Sequence, residues 1–175
     1  MSEFKFITPF DGHSPEIDPG AFVDISARLI GRVTVEDEAS IWPFAVLRGD
    51  DEAIIIGKGS AVLDLCLLEA PMGHRVLVEP GALISHNVCL HGATVKSGAL
   101  VGIGAIVLDG AVVEEGALVG AGAVVPPNMI VPPGMLVLGQ PARPIREVKP
   151  AEKENFRAQM ADLHEKARAY KRLNP

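Results

Sequence analysis

The chain has 175 residues, a net charge of −6 and only 5% aromatic residues. That length suffices for one domain with a substantial core, and the acidic balance argues against a nucleic-acid partner. Its two cysteines, Cys66 and Cys89, are too few and too far apart for a disulfide scaffold or a structural zinc knot, so both are expected reduced.

The opening stretch MSEFKFITPF lacks a basic segment followed by an apolar one, so it does not read as a signal peptide. No apolar run reaches membrane-spanning length, and a cytoplasmic location is the expectation. From Ile17 a ladder of aliphatic residues begins, spaced six apart: Ile17, Val23, Leu29, Val35, Ile41 and Leu47. Six is neither the helix period nor the alternation of a flat sheet, and it signals a repeat architecture. Three units make an eighteen-residue circuit, which suits a three-sided coil with a short strand on each face. A single coil is too thin to bury its own aliphatic residues, whereas stacked coils bury them against one another.

The ladder then breaks three times. Between Leu47 and Ile56 lies Arg48-Gly49-Asp50-Asp51-Glu52, and between Leu68 and Val78 lies a longer insertion with His74 and Arg75. The third break, from Leu90 to Val95, shortens the step and spans His91-Gly92. Beyond it Val95, Val101, Val107, Val113, Val119, Val125, Val131 and Val137 run without interruption. After Gly139-Gln140-Pro141 the pattern changes. Pro150 marks a helix start, and Phe156, Met160, Leu163, Ala167 and Tyr170 form one stripe of a helix over 151–172. The expected division is a hexapeptide-repeat β-helix over 1–149 and a C-terminal helix over 150–175, packed on the β-helix or on a neighbouring subunit.

Insertions in a solenoid project from one face, often the binding face. Aligned by coil, Arg48, Glu69 and His91 share one column, while Asp64 and His86 share another. Two histidines and a carboxylate with an open position form a ligand set for catalytic zinc, and a bound ion activates water near neutral pH. One chain need not bring His86 to Glu69 and His91, but a neighbouring chain could. The alternative is that both histidines lie idle on the surface, and that Arg48 and Asp50 simply close a corner as an ion pair.

Three stretches carry a resemblance: Ile41-Trp42-Pro43-Phe44-Ala45-Val46-Leu47-Arg48-Gly49-Asp50, Ile84-Ser85-His86-Asn87-Val88-Cys89-Leu90-His91-Gly92, and the run from Val101 to Gly110. The late segments Val119–Pro127 and Leu138–Ala142 add to it. The chain resembles the gamma-class carbonic anhydrase-like family of hexapeptide-repeat proteins over about residues 10–170. The resemblance implies an all-β solenoid, a left-handed parallel β-helix with a C-terminal α-helix, assembled as a homotrimer with sites between subunits. It implies zinc, iron or another divalent ion held by His86 and His91, with Glu69 where the family has a third histidine. It also implies a structural and catalytic ion pair at Arg48 and Asp50, a polar catalytic residue at Asp64, and carbon dioxide or bicarbonate as substrate. Ala61 and Leu63 stand where active members carry asparagine and glutamine, and Leu63 has no group to orient a reactive water.

Three functions follow as expectations. The first is metal-dependent hydration of carbon dioxide, weakened by Glu69 and Leu63, with His74 as a candidate for proton export. The second is acyl transfer with a histidine as general base, for which Arg143, Arg146 and Lys149 are the basic residues nearest to a nucleotide-phosphate site. The third is a non-catalytic trimeric metal-binding or assembly protein. None of them calls for a membrane or a nucleic acid.

Overall fold

A computed structural model describes residues 6–173, so the first five residues of the opening stretch lie outside the described residues. The chain winds as a left-handed parallel β-solenoid of about seven turns followed by one α-helix, Pro150–Leu173. Left-handed winding departs from the right-handed rule for parallel crossovers. Strands of two residues recur along the coils and pair in parallel with those one circuit away, as Leu83-Ile84 does with Leu100-Val101. Two strands are much longer, Arg28–Val35 and Val46–Ile56; they pair side by side, and Val46–Ile56 absorbs the first break in the ladder and joins two faces of the solenoid into one sheet.

The ladder is the core. Leu29, Ile41, Leu47, Ile56, Val62, Leu68, Val78, Ile84, Leu90 and the six-spaced valines Val95, Val101, Val107, Val113, Val119 and Val125 are fully or almost fully buried. Each such side chain stabilises the fold by roughly 1.5–3 kcal/mol relative to exposure. Alanines fill the corners of the column, among them Ala45, Ala82, Ala99 and Ala117. Close coil contact restricts what can follow the ladder residues. A Cβ on Gly102 would lie 2.7 Å from the Val119 carbonyl oxygen and 2.8 Å from the Ala121 nitrogen.

The helix covers one face. Its Met160, Leu163 and Ala167 are buried against Phe22, Trp42, Ala61, Leu63 and Leu83, with Phe156 and Leu100 alongside. Glu152 fixes the helix start. Its carboxylate accepts a hydrogen bond from the Lys149 amide at 2.8 Å and two from the Arg146 guanidinium at 2.8 and 2.7 Å. The first is the return half of a capping box. At the other end Phe22, Trp42 and Tyr170 stack with centroids 5.6–5.9 Å apart. His164 Nε2 also hydrogen-bonds the Gly59 carbonyl at 2.8 Å.

Two sequence expectations change here. Leu63 does not face the polar site at all, because its side chain lies under the helix with Met160 and Leu163. The segment after Pro141 is not a free basic cluster either. Arg143–Glu147 forms a strand antiparallel to Met135–Leu138, and Arg146 is spent on Glu152. No helix among the described residues is long and apolar enough to cross a membrane.

Candidate functional site

The breaks in the ladder place charges in register on one outward face. Val46-Leu47-Arg48 pairs with Leu67-Leu68-Glu69, and that strand pairs with Cys89-Leu90-His91. Side chains alternate along each strand, so burial of Leu47, Leu68 and Leu90 sends the residue after each outward. Arg48, Glu69 and His91 thus stand one above another.

The contacts run through the column. Arg48 Nη2 donates to Glu69 Oε1 in a short ion pair, and Arg48 Nε lies 3.4 Å from Asp50 Oδ1. That Asp50 oxygen is shielded from solvent and makes no hydrogen bond, so the nearby guanidinium charge offsets its burial. Glu69 Oε1 also lies 3.8 Å from His91 Nε2. The other ring nitrogen of His91 is held by a short hydrogen bond between Nδ1 and Asp109 Oδ1. A chain of polar contacts therefore runs Asp50, Arg48, Glu69, His91, Asp109.

Asp109 was not among the residues singled out from sequence. Its signal is an offset of eighteen from His91, one full circuit, blurred because the short step after Leu90 shifts the local register. The ladder pairs Leu90 with Val107, so Asp109 reaches His91 from one position beyond the expected place.

The second column forms a separate pair at a corner, with His86 Nδ1 3.0 Å from Asp64 Oδ2. The backbone there is left-handed at Phe44, Leu65 and Asn87, with φ of 60°, 62° and 56°. Bulky residues seldom adopt this conformation. It is held by a stack of corner hydrogen bonds: the Leu65 amide to Pro43 O at 3.0 Å, Asn87 to Asp64 O at 2.9 Å, and Gly104 to His86 O at 2.9 Å. Phe44, Leu65 and Ile103 project into solvent beside the pair, each more than half exposed.

Within one chain the two columns do not merge. Among the described residues no group of three His, Cys, Asp or Glu side chains is arranged to hold a metal ion. Glu69 and His91 are spaced for a shared ion: ligands about 2.0–2.2 Å from one tetrahedral zinc stand roughly 3–4 Å apart. The Asp109 carboxylate on the far nitrogen of His91 matches the outer support that metal-bound histidines use. Arg48 competes for the same Glu69 oxygen.

The cysteines are poor nucleophiles. Burial pushes the Cys66 thiol up to about 12, and the thiol donates to the Ser85 carbonyl at 2.8 Å. Cys89, on a strand between Leu67–Glu69 and Ile106–Val107, is raised by burial and then by the Glu69 carboxylate. Both stay protonated at neutral pH.

Comparison with known proteins places the chain. A crystal structure of a provisionally assigned acetyltransferase from Bacillus cereus is 36% identical, with a TM-score of 0.94, and the match covers 96% of this chain and 98% of that one. The chain belongs to the hexapeptide-repeat β-solenoid family. A hexapeptide transferase family protein from Anaplasma phagocytophilum is 34% identical, with a TM-score of 0.90 over 94% of this chain and 97% of that one. A carbonic anhydrase from Geobacillus kaustophilus is 36% identical over 90 residues, covering 51% of this chain and 50% of that protein. The chain spans about half the length of the curated relatives it matches. No family model matches it. The fold is thus one that supports acyl-transfer or metal-dependent chemistry, with the acetyltransferase likeness extending over more of the chain.

Proposed function

We propose that the chain is an acyltransferase in which His91 is the general base, oriented by Asp109. The observation that carries this reading is the hydrogen bond between His91 Nδ1 and Asp109 Oδ1. A carboxylate at Nδ1 fixes the tautomer with the proton on that nitrogen and leaves Nε2 as the acceptor. Nε2 takes a proton from a small amine or hydroxyl acceptor as that group attacks the carbonyl carbon of an acyl thioester. Asp109 stabilises the imidazolium that forms, and the proton then passes to the departing thiolate sulfur. The Bacillus cereus structure, named as an acetyltransferase, supports a thioester donor.

Phe44, Leu65 and Ile103 are apolar groups exposed beside His86, which suits burial against other copies of the chain in a trimer. A cleft so formed would bring the Asp64–His86 pair of one copy toward the Glu69–His91 column of the next.

A second reading is favoured by the 3.8 Å separation of Glu69 Oε1 and His91 Nε2, together with the carbonic anhydrase relative. Glu69 and His91 would hold a divalent ion with His86 of a second copy, and Asp109 would orient His91. When bound, such an ion would supply Lewis-acid activation of water for addition to carbon dioxide. Asp64 would then orient His86, and Arg48 with Asp50 would set the charge on Glu69. Assays on one preparation separate the readings. Thiol release from acetyl-coenzyme A with an amine panel, insensitive to chelator and lost in His91→Ala, supports acyl transfer. Stoichiometric zinc or iron that His91→Ala removes, with chelator-sensitive hydration of carbon dioxide and no thiol release, overturns it in favour of the second reading.

A further inference from the structure

The insertion between Leu68 and Val78 carries His74, which neither column uses. Its seat is made by glycines of successive coils. Gly92 and Gly110 have φ of +58° and +68°, a region open to glycine at no steric cost. A Cβ on Gly92 would stand 2.6 Å from His74 Cβ, 3.4 Å from His74 Cγ and 2.9 Å from Asp109 Oδ1. A Cβ on Gly110 would stand 3.6 Å from His74 Cε1. The His74 side chain therefore runs from Gly92 towards Gly110, where it shares the space with Asn128, and its Cβ and the Asp109 Oδ1 flank the same point above Gly92.

This platform is firmly built. The Gly92 amide donates to the Glu69 carbonyl at 2.9 Å, and the Gly110 amide to the Gly92 carbonyl at 2.8 Å. The loop above it is pinned as well, by the His74 amide to Pro71 O at 2.9 Å and the Gly73 amide to Glu52 Oε1 at 3.1 Å. The His74 ring itself has no hydrogen-bond or ion-pair partner among the described residues. A ring without polar bonds, seated where any side chain on Gly92 would collide with both it and Asp109, acts through its shape.

We propose that His74 is a positioning residue for the His91–Asp109 pair. Its ring covers one side of the Asp109 carboxylate, limits the water reaching it and holds Oδ1 on His91 Nδ1. A carboxylate–imidazole hydrogen bond is stronger where water competes less. The absence of a side chain at Gly92 is the condition for this arrangement. The proposal rests on the reading of His91 and Asp109 as the chemical centre, and its test needs no substrate.

Proton NMR of the full chain in water reads the bond directly as a far-downfield Nδ1–H resonance. Asp109→Asn is the control that assigns it. In His74→Ala the resonance is expected to disappear through exchange with water, and in His74→Phe, which refills the seat with a ring, it is expected to return. Circular dichroism and the unfolding midpoint of both variants should match the wild type. Turnover should show a lower kcat at unchanged KM in His74→Ala and recovery in His74→Phe. A resonance that persists in a folded His74→Ala variant overturns the proposal, and so does one that His74→Phe fails to restore. A wild type without a resonance that Asp109→Asn removes overturns the dyad itself, and the proposal with it.

Discussion

The uninterrupted coils from Val95 to Val137 and the broken coils from Leu47 to Val95 share one core but differ on the outside. In the regular part, ladder valines are buried and the residues that follow them in the same column, Leu108 and Pro126, carry no charge. In the broken part, the equivalent faces carry Arg48, Glu69 and His91, each contacting a charge one circuit away. Strict repetition leaves little room for chemistry, because every coil presents the same face. Changing the step length by a few residues puts unlike groups in register without disturbing the buried column. The regular coils supply the buried column, and the defects bring charged groups together.

The largest effect that sharpens this contrast belongs to the core. Leu90→Ala removes a fully buried side chain just before His91, and is expected to cost about 2–5 kcal/mol in denaturant unfolding. Val119→Ala in the regular coils should cost less, because valine is smaller, but should leave the geometry at His91 intact. Equal loss of activity in both folded variants would break the division between scaffold and site.

Next comes the site itself. Asp109→Asn should lower turnover by about 10²–10⁴-fold while moving stability by less than about 1 kcal/mol, measured by initial rates and urea unfolding. Without the carboxylate charge the hydrogen bond to Nδ1 is weakened, and the imidazolium loses its counter-charge. Arg48→Ala should act differently from Asp109→Asn. It frees Glu69 Oε1, so titration with zinc should show tighter binding than in the wild type if Glu69 and His91 share an ion. Unchanged zinc binding would count against the metal reading.

The smallest effect concerns the helix anchor. The Arg146 guanidinium and the Lys149 amide hold the Glu152 carboxyl at about 2, below its ordinary 4.5. A depressed carboxylate contributes stability that is complete above the ordinary value and is lost as pH falls through the depressed one. Acid unfolding followed from pH 5 down to pH 2 should therefore lose part of its slope in Glu152→Gln. The pair is only half-buried, so the change should be slight and should shrink with added salt.

Much of this architecture is legible in the sequence, because a six-residue period admits few alternatives and the breaks are visible as missing steps. The pairing of Arg48 with Glu69 and of Asp64 with His86 follows from counting coils. Asp109 does not, because the shortened step after Leu90 moves its partner off the counted position. Leu63 could not be aimed from sequence either, since outward residues of a solenoid face either solvent or the helix, and only the docked helix decides which. The antiparallel strand Arg143–Glu147 carries no hexapeptide pattern and forms because Met135–Leu138 leaves an edge to be capped.

The most direct measurement compares thiol release from acetyl-coenzyme A by the wild type and by Asp109→Asn, with the unfolding curve of each recorded on the same preparation. The account predicts a rate at least about 10²-fold lower in the variant and superimposable unfolding curves. An unchanged rate in a folded Asp109→Asn variant would contradict it.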